Sequence, residues 1–229
     1  MTIDVMKKLF REYGQRAGMQ NVRAILDEEI VLLLDTSIKD IVNEELKTHA
    51  VTTNTPYITN GKVGTINSLR NLYKVYTLDN TELTDNPPMC TISEIVADTA
   101  GNNPSQSDKV YLIIGANAKY KDRLFPVRII DESDLANIAT DFLSKPKYYS
   151  GVAYAVDDEL YFNFGDYVMD EIKVSFIGIP TINHTDNSGE VLDLPAYLHN
   201  DIVRHALDLY RVSITGAIFA TQNNKNNQN

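Results

Sequence analysis

Between Leu26 and Lys47 the apolar side chains recur at steps of three and four: Leu26, Ile30, Leu33, Leu34, Ile38, Ile41, Val42 and Leu46. That spacing makes one wide stripe and predicts an amphipathic helix over about Asp27–Lys47. A second stripe, built from Leu198, Ile202, Val203, Ala206, Leu207, Leu209, Tyr210 and Ile214, predicts the longest helix, over about Leu194–Ala220. Asp193 and Pro195 stand where a helix start wants an acceptor and a preset φ. The breadth of this face points to contacts on two sides, within the subunit and between subunits. At the N-terminus Thr2 caps a shorter helix through about Tyr13, with Asp4 in the favourable first turn, and Gly14 and Gly18 bracket a break.

The middle of the chain has a different period. Val152/Tyr154/Val156 and Leu160/Phe162/Phe164 alternate on either side of Asp157-Asp158, which predicts a hairpin of Gly151–Val156 with Glu159–Phe164 and one buried face. Ile172, Val174 and Phe176 alternate in a strand over Glu171–Ile179 that stops at Pro180. Val110–Ile114 and Leu124–Ile130 read as two further strands. Between them and the hairpin, Ser133 caps a short helix over Asp134–Leu143, with Leu135, Ile138, Ala139 and Phe142 facing inward and Pro146 closing it. From Thr52 to Ser107, Thr, Asn, Pro and Gly dominate, with β-favouring pieces such as Leu72–Leu78 and turn chemistry at Asp85-Asn86-Pro87-Pro88 and Gly101–Pro104. This stretch is too long for a plain loop and reads as an inserted or extended β module.

Together these elements predict an α+β fold. N-terminal and long C-terminal helices pack together, with a central β-rich, sandwich-like insertion. Residues 1–50 form the N-terminal helices, 51–190 the β-rich module with its short helix near 134–143, 191–220 the returning helix, and 221–229 a flexible amide-rich tail.

Composition narrows the function classes. With 43% hydrophobic residues the 229-residue chain can bury an ordinary core. Lys+Arg number 21 against 31 Asp+Glu, a net charge of −10. No basic cluster exceeds pairs such as Lys7-Lys8, so an adhesive grip on nucleic acid is not expected, whereas a smooth conduit for it is compatible. The single Cys90 precludes an internal disulfide and fits assembly in a reducing cytoplasm. Met1–Phe10 lacks the apolar stretch of a secretion signal, and runs such as Ile30–Leu34 are too short to span a membrane.

Candidate chemistry is sparse. His199 and His205 are six residues apart and do not share a helix face at metal-ligand spacing. With His49 and His184 they read as surface or interface histidines. The acidic groups Asp27-Glu28-Glu29 and Asp131-Glu132-Asp134 fall at helix starts, Asp157-Asp158-Glu159 at a hairpin turn, and Asp166–Glu171 before a strand. Asp186-Asn187-Ser188-Gly189-Glu190 could approach a calcium ion but lacks EF-hand spacing. Gly61-Lys62-Val63-Gly64-Thr65 lacks the upstream glycine of a phosphate-binding loop, and no G-x-S-x-G elbow occurs. Cys90 reads as a buried, inert thiol. Tyr148, Tyr149, Tyr154, Tyr161 and Tyr167 gather near the hairpin, where their sequence neighbours are largely Asp and Glu, so stacking on single-stranded nucleic acid is disfavoured. Catalytic, cofactor-binding and metal-binding residues are accordingly expected to be absent, and with them any enzyme activity.

Three stretches carry a resemblance. Leu26-Asp27-Glu28-Glu29-Ile30-Val31-Leu32-Leu33-Leu34-Asp35 resembles the opening helix of phage adaptor proteins. The run from Asp134-Leu135 through Ser144-Lys145-Pro146, the hairpin, and Val174-Ser175-Phe176-Ile177-Gly178-Ile179-Pro180 is similar to structural proteins of Bacteroides crAss-like phages. Leu192-Asp193-Leu194-Pro195, followed by His199, Ile202-Val203 and Ala206-Leu207, resembles connector and tail-tube adaptor chains of short-tailed phages. The resemblance, in which Thr52–Ser107 has no counterpart, is to head-to-tail connector ring proteins of tailed bacteriophages. It implies a virion structural protein of the neck or tail, assembled in the host bacterial cytoplasm. It further implies a ring of about twelve subunits, joined to the portal protein or other rings. Double-stranded DNA passes through such a channel without specific binding during packaging, retention and ejection, and no membrane is involved. The alternative class is a tail-associated β-rich module that binds a receptor or glycan.

Overall fold

The computed structural model describes residues 1–19, 22, 24–52, 67–79, 82–83, 87–100, 104–140 and 145–226, with backbone alone at 49–52, 139–140 and 215–226. The Gly61–Thr65 stretch, Asp85-Asn86, Gly101–Asn103, Phe142 and the side chains of His49 and Ala139 lie outside the described residues. The chain divides into two compact units, Met1–Leu46 with Pro180–Asn229, and Lys47–Ile179. The α+β class holds.

The first unit is helical. Helix α1, Ile3–Arg16, is capped by the Thr2 side chain, which accepts from the Val5 amide. It buries Met6, Phe10 and Gly14, each four residues from the next. Gly14 therefore lies inside the helix rather than at a break. The Val22 side chain packs where a Cβ would stand. The chain reverses at Gly18, whose φ of +79° favours glycine. Helix α2, Asp27–Thr52, buries Ile30, Leu34, Ile38 and Val42 completely and Leu46 nearly so. Leu26, expected on that stripe, is instead 64% exposed ahead of the helix.

A 3-10 turn, Ala196–Leu198, leads into the C-terminal helix His199–Asn226. The backbone stays helical well into the segment expected to be a flexible tail, since amides and lysine are tolerated once a helix is propagating. In this unit Ser37 Oγ donates to the Ile202 carbonyl at 2.7 Å, and the Phe10 and Tyr210 rings meet edge-on at 6.0 Å. The N- and C-terminal helices thus pack together, with Ile202, Val203 and Ala206 fully buried. Burial of each such aliphatic or aromatic side chain contributes roughly 1.5–3 kcal/mol.

Residues 180–190, read from hydropathy as part of the β-rich module, fold with the helices. Ile182 is fully buried, its amide donates to Asp35 Oδ1 at 3.4 Å, and the Val191 amide donates to the Met1 carbonyl at 3.1 Å.

The second unit is a curled seven-stranded sheet. Its strands are β1 Tyr73–Thr77, β2 Met89–Thr91, β3 Val110–Tyr120, β4 Arg123–Ile129, β5 Val152–Val156, β6 Glu159–Asn163 and β7 Glu171–Gly178. They run in the order β1-β7-β3-β4-β5-β6-β2. All pairs are antiparallel except β4–β5, where Arg128 and Ile129 face Val152 and Ala153 in parallel. The sandwich-like character expected from sequence takes the form of one continuous sheet curled over a single core, which includes Leu160, Phe162, Phe164, Ile172, Val174 and Phe176. The Thr52–Ser107 stretch is not a separate insertion where it is described. It supplies the two edge strands, β1 and β2.

The β5–β6 hairpin forms as expected, but register decides which residues face inward. Ala153 lies opposite Phe162 and Ala155 opposite Leu160, whereas Val152, Tyr154 and Val156 face Asn163, Tyr161 and Glu159. Ala153, fully buried, leaves room for the Phe162 ring, whereas Ala155 is exposed and Val152 is fully buried. Strand β3 extends past Ile114 to Tyr120 through Gly115-Ala116-Asn117-Ala118, residues with poor strand propensity. There Ala116 and Ala118 are buried opposite Val174 and Ile172. The short helix begins as a 3-10 turn, Glu132–Asp134, and continues as α3, Leu135–Thr140. The turn's N-cap is Asp131 rather than Ser133, and no side chain bonds the cap. The C-terminal helix His199–Asn226 is α4 below.

Candidate functional site

A concave surface lined with aromatic rings lies on the sheet unit, around the tip of the β3–β4 hairpin. Tyr120 and Arg123 close the ladder, and Lys121 and Asp122 make the two-residue turn with φ of 48° and 64°. Left-handed backbone at both positions matches the twist of the flanking strands and keeps the turn tight. Asp170 secures it: its carboxylate accepts from the Lys121 amide at 2.7 Å, and its own amide donates to the Lys119 carbonyl at 2.8 Å.

Two other turns bring tyrosines to this tip. Lys147 and Ser150 exchange backbone hydrogen bonds at 3.3 and 2.9 Å around Tyr148-Tyr149. Asn163 Oδ1 accepts from the Gly165 amide at 2.9 Å, and Gly165, at φ +67°, turns the chain towards Tyr167.

The result is an aromatic cluster centred on Tyr148. Its ring centroid lies 5.0 Å from Tyr120, 5.0 Å from Tyr149, 5.1 Å from Tyr167 and 5.7 Å from Phe125. Most of these contacts are edge-to-face, the arrangement the ring quadrupoles prefer. Lys121 Nζ stands 5.2 Å from the Tyr120 centroid and Lys147 Nζ 5.7 Å from that of Tyr149. Cations at this range are attracted to the rings. A groove of about 470 Å³ is lined by Tyr120, Lys121, Arg123, Phe125, Tyr148 and Tyr167. Tyr167 also borders a neighbouring cleft of about 730 Å³, whose walls include Pro88, Tyr154, Phe162, Phe164 and Asp166. Burial, with the Glu132 carboxylate near, raises the Tyr154 phenol, which remains a hydrogen-bond donor at neutral pH.

Sequence proximity is misleading here. Along the chain the tyrosines neighbour acids. In the fold, Lys121, Arg123 and Lys147 stand around them. The expectation of an acidic setting is corrected for Tyr148, Tyr149 and Tyr167, which the fold brings against residues 120–125, and it holds for Tyr154 and Tyr161, beside Glu132 and Glu159. The available signal was the Tyr120-Lys121-Asp122-Arg123 turn between two β-favouring stretches.

Three of the four histidines, His184, His199 and His205, are dispersed within the helical unit. His199 is buried, its Nε2–H donates to the Leu194 carbonyl at 2.9 Å, and Nδ1 has no partner among the described residues. Burial holds its pKa below the ordinary 6.5. His184 Nδ1 lies 2.6 Å from Asp193 Oδ1. The same buried carboxylate accepts from the Thr181 amide at 2.7 Å, so Asp193 fastens the 181–193 loop. His205 Nε2 is 3.2 Å from Asp40 Oδ2, half-exposed between α4 and α2.

The acidic groups have local work. Asp27 is bound by Arg11 and lies 3.4 Å from Lys7 Nζ, and the Arg11 guanidinium holds its pKa below the usual carboxylate value. Asp158 accepts from the Ser93 amide at 3.2 Å and from its hydroxyl. Asp186 Oδ1 accepts from the Ser188 amide, the Ser188 hydroxyl and the Glu190 amide at 2.8, 2.6 and 2.9 Å. These bonds, the Ser188 hydroxyl foremost, lower its pKa, and they account for the Asp186–Glu190 loop without a cation. Among the described residues no three His, Cys, Asp or Glu side chains are placed to hold a metal, and no helix is long and apolar enough to cross a membrane. Cys90 points into the sheet core, and burial pushes its thiol up to about 12.

No protein-family description matches the chain, and no curated protein is recognisably similar to it.

Proposed function

We propose that this chain is a non-enzymatic virion structural protein, a ring or adaptor subunit in the neck or tail of a tailed bacteriophage. About twelve copies would close a ring joined to the portal protein or an adjacent ring, with double-stranded DNA passing through the channel. The resemblance in the three ordered stretches supports this reading. The structural observation that carries it is exposed apolar surface on both units: Leu26, Leu32 and Val212 on the helical one, Leu124, Tyr149 and Val168 on the sheet one. Head-to-tail assembly uses two different surfaces of one chain, and these side chains supply apolar contacts on each unit. A net charge of −10 per copy would let DNA slide along the bore rather than adhere.

Native mass analysis and negative-stain imaging of the purified chain, alone and with portal protein, test the proposal. Closed rings are expected. A chain that stays monomeric at high concentration and never joins virions would sink it. The aromatic groove favours a second reading, a tail module that binds a receptor or glycan through stacked tyrosines. Saturable glycan binding abolished by Tyr167→Ala is its expected signature.

A further inference from the structure

We infer that the tyrosine groove at the β3–β4 turn is a docking site for a second copy of this chain, and that the segment it takes is the acidic, leucine-bearing start of α2. This rests on the ring reading above and assigns one of its contacts.

The groove offers aromatic rings with Lys121 and Arg123 at the rim, both exposed. Neither makes a salt bridge with a described residue. Lys121 Nζ rests on the Tyr120 ring, and the nearby ion pair joins Lys119 to Asp122 instead. Among the described residues no carboxylate pairs with either cation, on a chain of net charge −10. The two cations complement what the rest of such a chain offers.

The start of α2 provides the opposite half. Glu28 and Glu29 are exposed and precede Leu32 by four and three residues, so all three share one helix face. Leu32 is 68% exposed. Asp27 is engaged by Arg11 and Lys7, which leaves Glu28 and Glu29 as the carboxylates that can pair outward. Leucine against the tyrosine rings, flanked by carboxylates against Lys121 and Arg123, satisfies both surfaces. Tyrosine and arginine are the residue types that anchor protein interfaces. The groove and the helix start are different patches, so in the ring reading the contact is heterologous and repeats from copy to copy. A stable interface buries roughly 1,600 Å² in all, so this contact is an anchor within a larger one.

The test measures self-association of the full chain by analytical ultracentrifugation at low and high salt. The wild type should associate, less so as salt rises. K121E/R123E should weaken association about a hundredfold, and E28K/E29K by a similar factor. Combining all four changes should restore it to within about tenfold of wild type, because the pairs are coupled. Leu32→Ser should weaken association about tenfold. All these side chains are exposed, so circular dichroism and melting temperature should stay at wild-type values. Wild-type association that neither charge pair alters overturns this docking site and leaves the ring reading standing. Loss in both pairs without recovery in the combination overturns the pairing of these two patches. A wild type that never associates overturns both proposals. Glycan binding lost in K121E/R123E with association intact gives the groove to a glycan and overturns the inference.

Discussion

The helical unit and the sheet unit bury different kinds of polar group. Among the described residues the helical unit encloses Ser37, Asp193 and His199, the sheet unit Ser68, Ser107 and Ser175. Serine hydroxyls do not ionise in the working pH range, so the sheet unit should respond to fit and hardly to pH. The buried imidazole of His199, whose pKa burial lowers, makes the helical unit sensitive to protons. Two units of one chain should therefore fail in different ways.

The largest effect should come from the sheet core. Phe162 is fully buried opposite the small Ala153, and Phe162→Ala should cost about 3–5 kcal/mol in denaturant unfolding, because a cavity opens in the core that Ala153 is too small to fill. Cys90 gives an independent readout. With its pKa near 12 it should resist alkylation at pH 8 in the wild type and become labelled faster in Phe162→Ala as the sheet opens more often.

A pair of glycines sharpens the contrast. A methyl group on Gly178 would overlap the Ser107 carbonyl oxygen, backbone that cannot yield, so Gly178→Ala should cost about 3 kcal/mol. A methyl group on Gly14 would meet the Val22 side chain, which can shift. Alanine also favours the helix by about 1 kcal/mol, so Gly14→Ala should be far milder. Equal losses in the two variants would show that the helical unit is packed as rigidly as the sheet.

The pH response should separate the units next. The folded chain holds His199 below its ordinary pKa of 6.5. As pH falls through 6.5 the unfolded chain takes up the proton first, so this contribution is present above that pH and lost below it. Unfolding midpoints measured between pH 7 and 5 should fall in the wild type and fall less steeply in His199→Gln. Hydrogen exchange should show the acid-induced loss in α4 before β7. The smallest effect should come from the helix cap: Thr2→Ala should cost about 0.5–1 kcal/mol, since the Val5 amide loses its acceptor.

Legibility in the sequence followed the range of the interactions. Ile30, Leu34, Ile38 and Val42 repeat every four residues, and the repeat alone places them inside, since a helix brings such positions to one side whatever it meets. Phe162 and Phe176 were legible from alternation in the same way. Tyr154 was not. Its alternation with Val152 and Val156 holds on the face opposite Phe162, which is buried at Val152 and only half-buried at Tyr154, whose ring stacks on Tyr161 at 5.4 Å. Period two says which residues share a face but not which face is covered. The candidate groove was least legible, because its aromatic and cationic members come from β3, β4 and two separate turns.

The residue pattern by itself determined the α+β class, the helices at both ends, the β5–β6 hairpin and the course of β7, all encoded in neighbours a few positions apart. Only the tertiary structure decided that β1 and β2 are the edges of one curled sheet, and that β3 continues through Gly115-Ala116-Asn117-Ala118. It also decided that residues 180–190 fold with the helices, and that Lys121 and Arg123 stand beside tyrosines. Each of these depends on which distant segment supplies the hydrogen bonds and the opposing side chains, and local periodicity carries no record of a partner a hundred residues away along the chain.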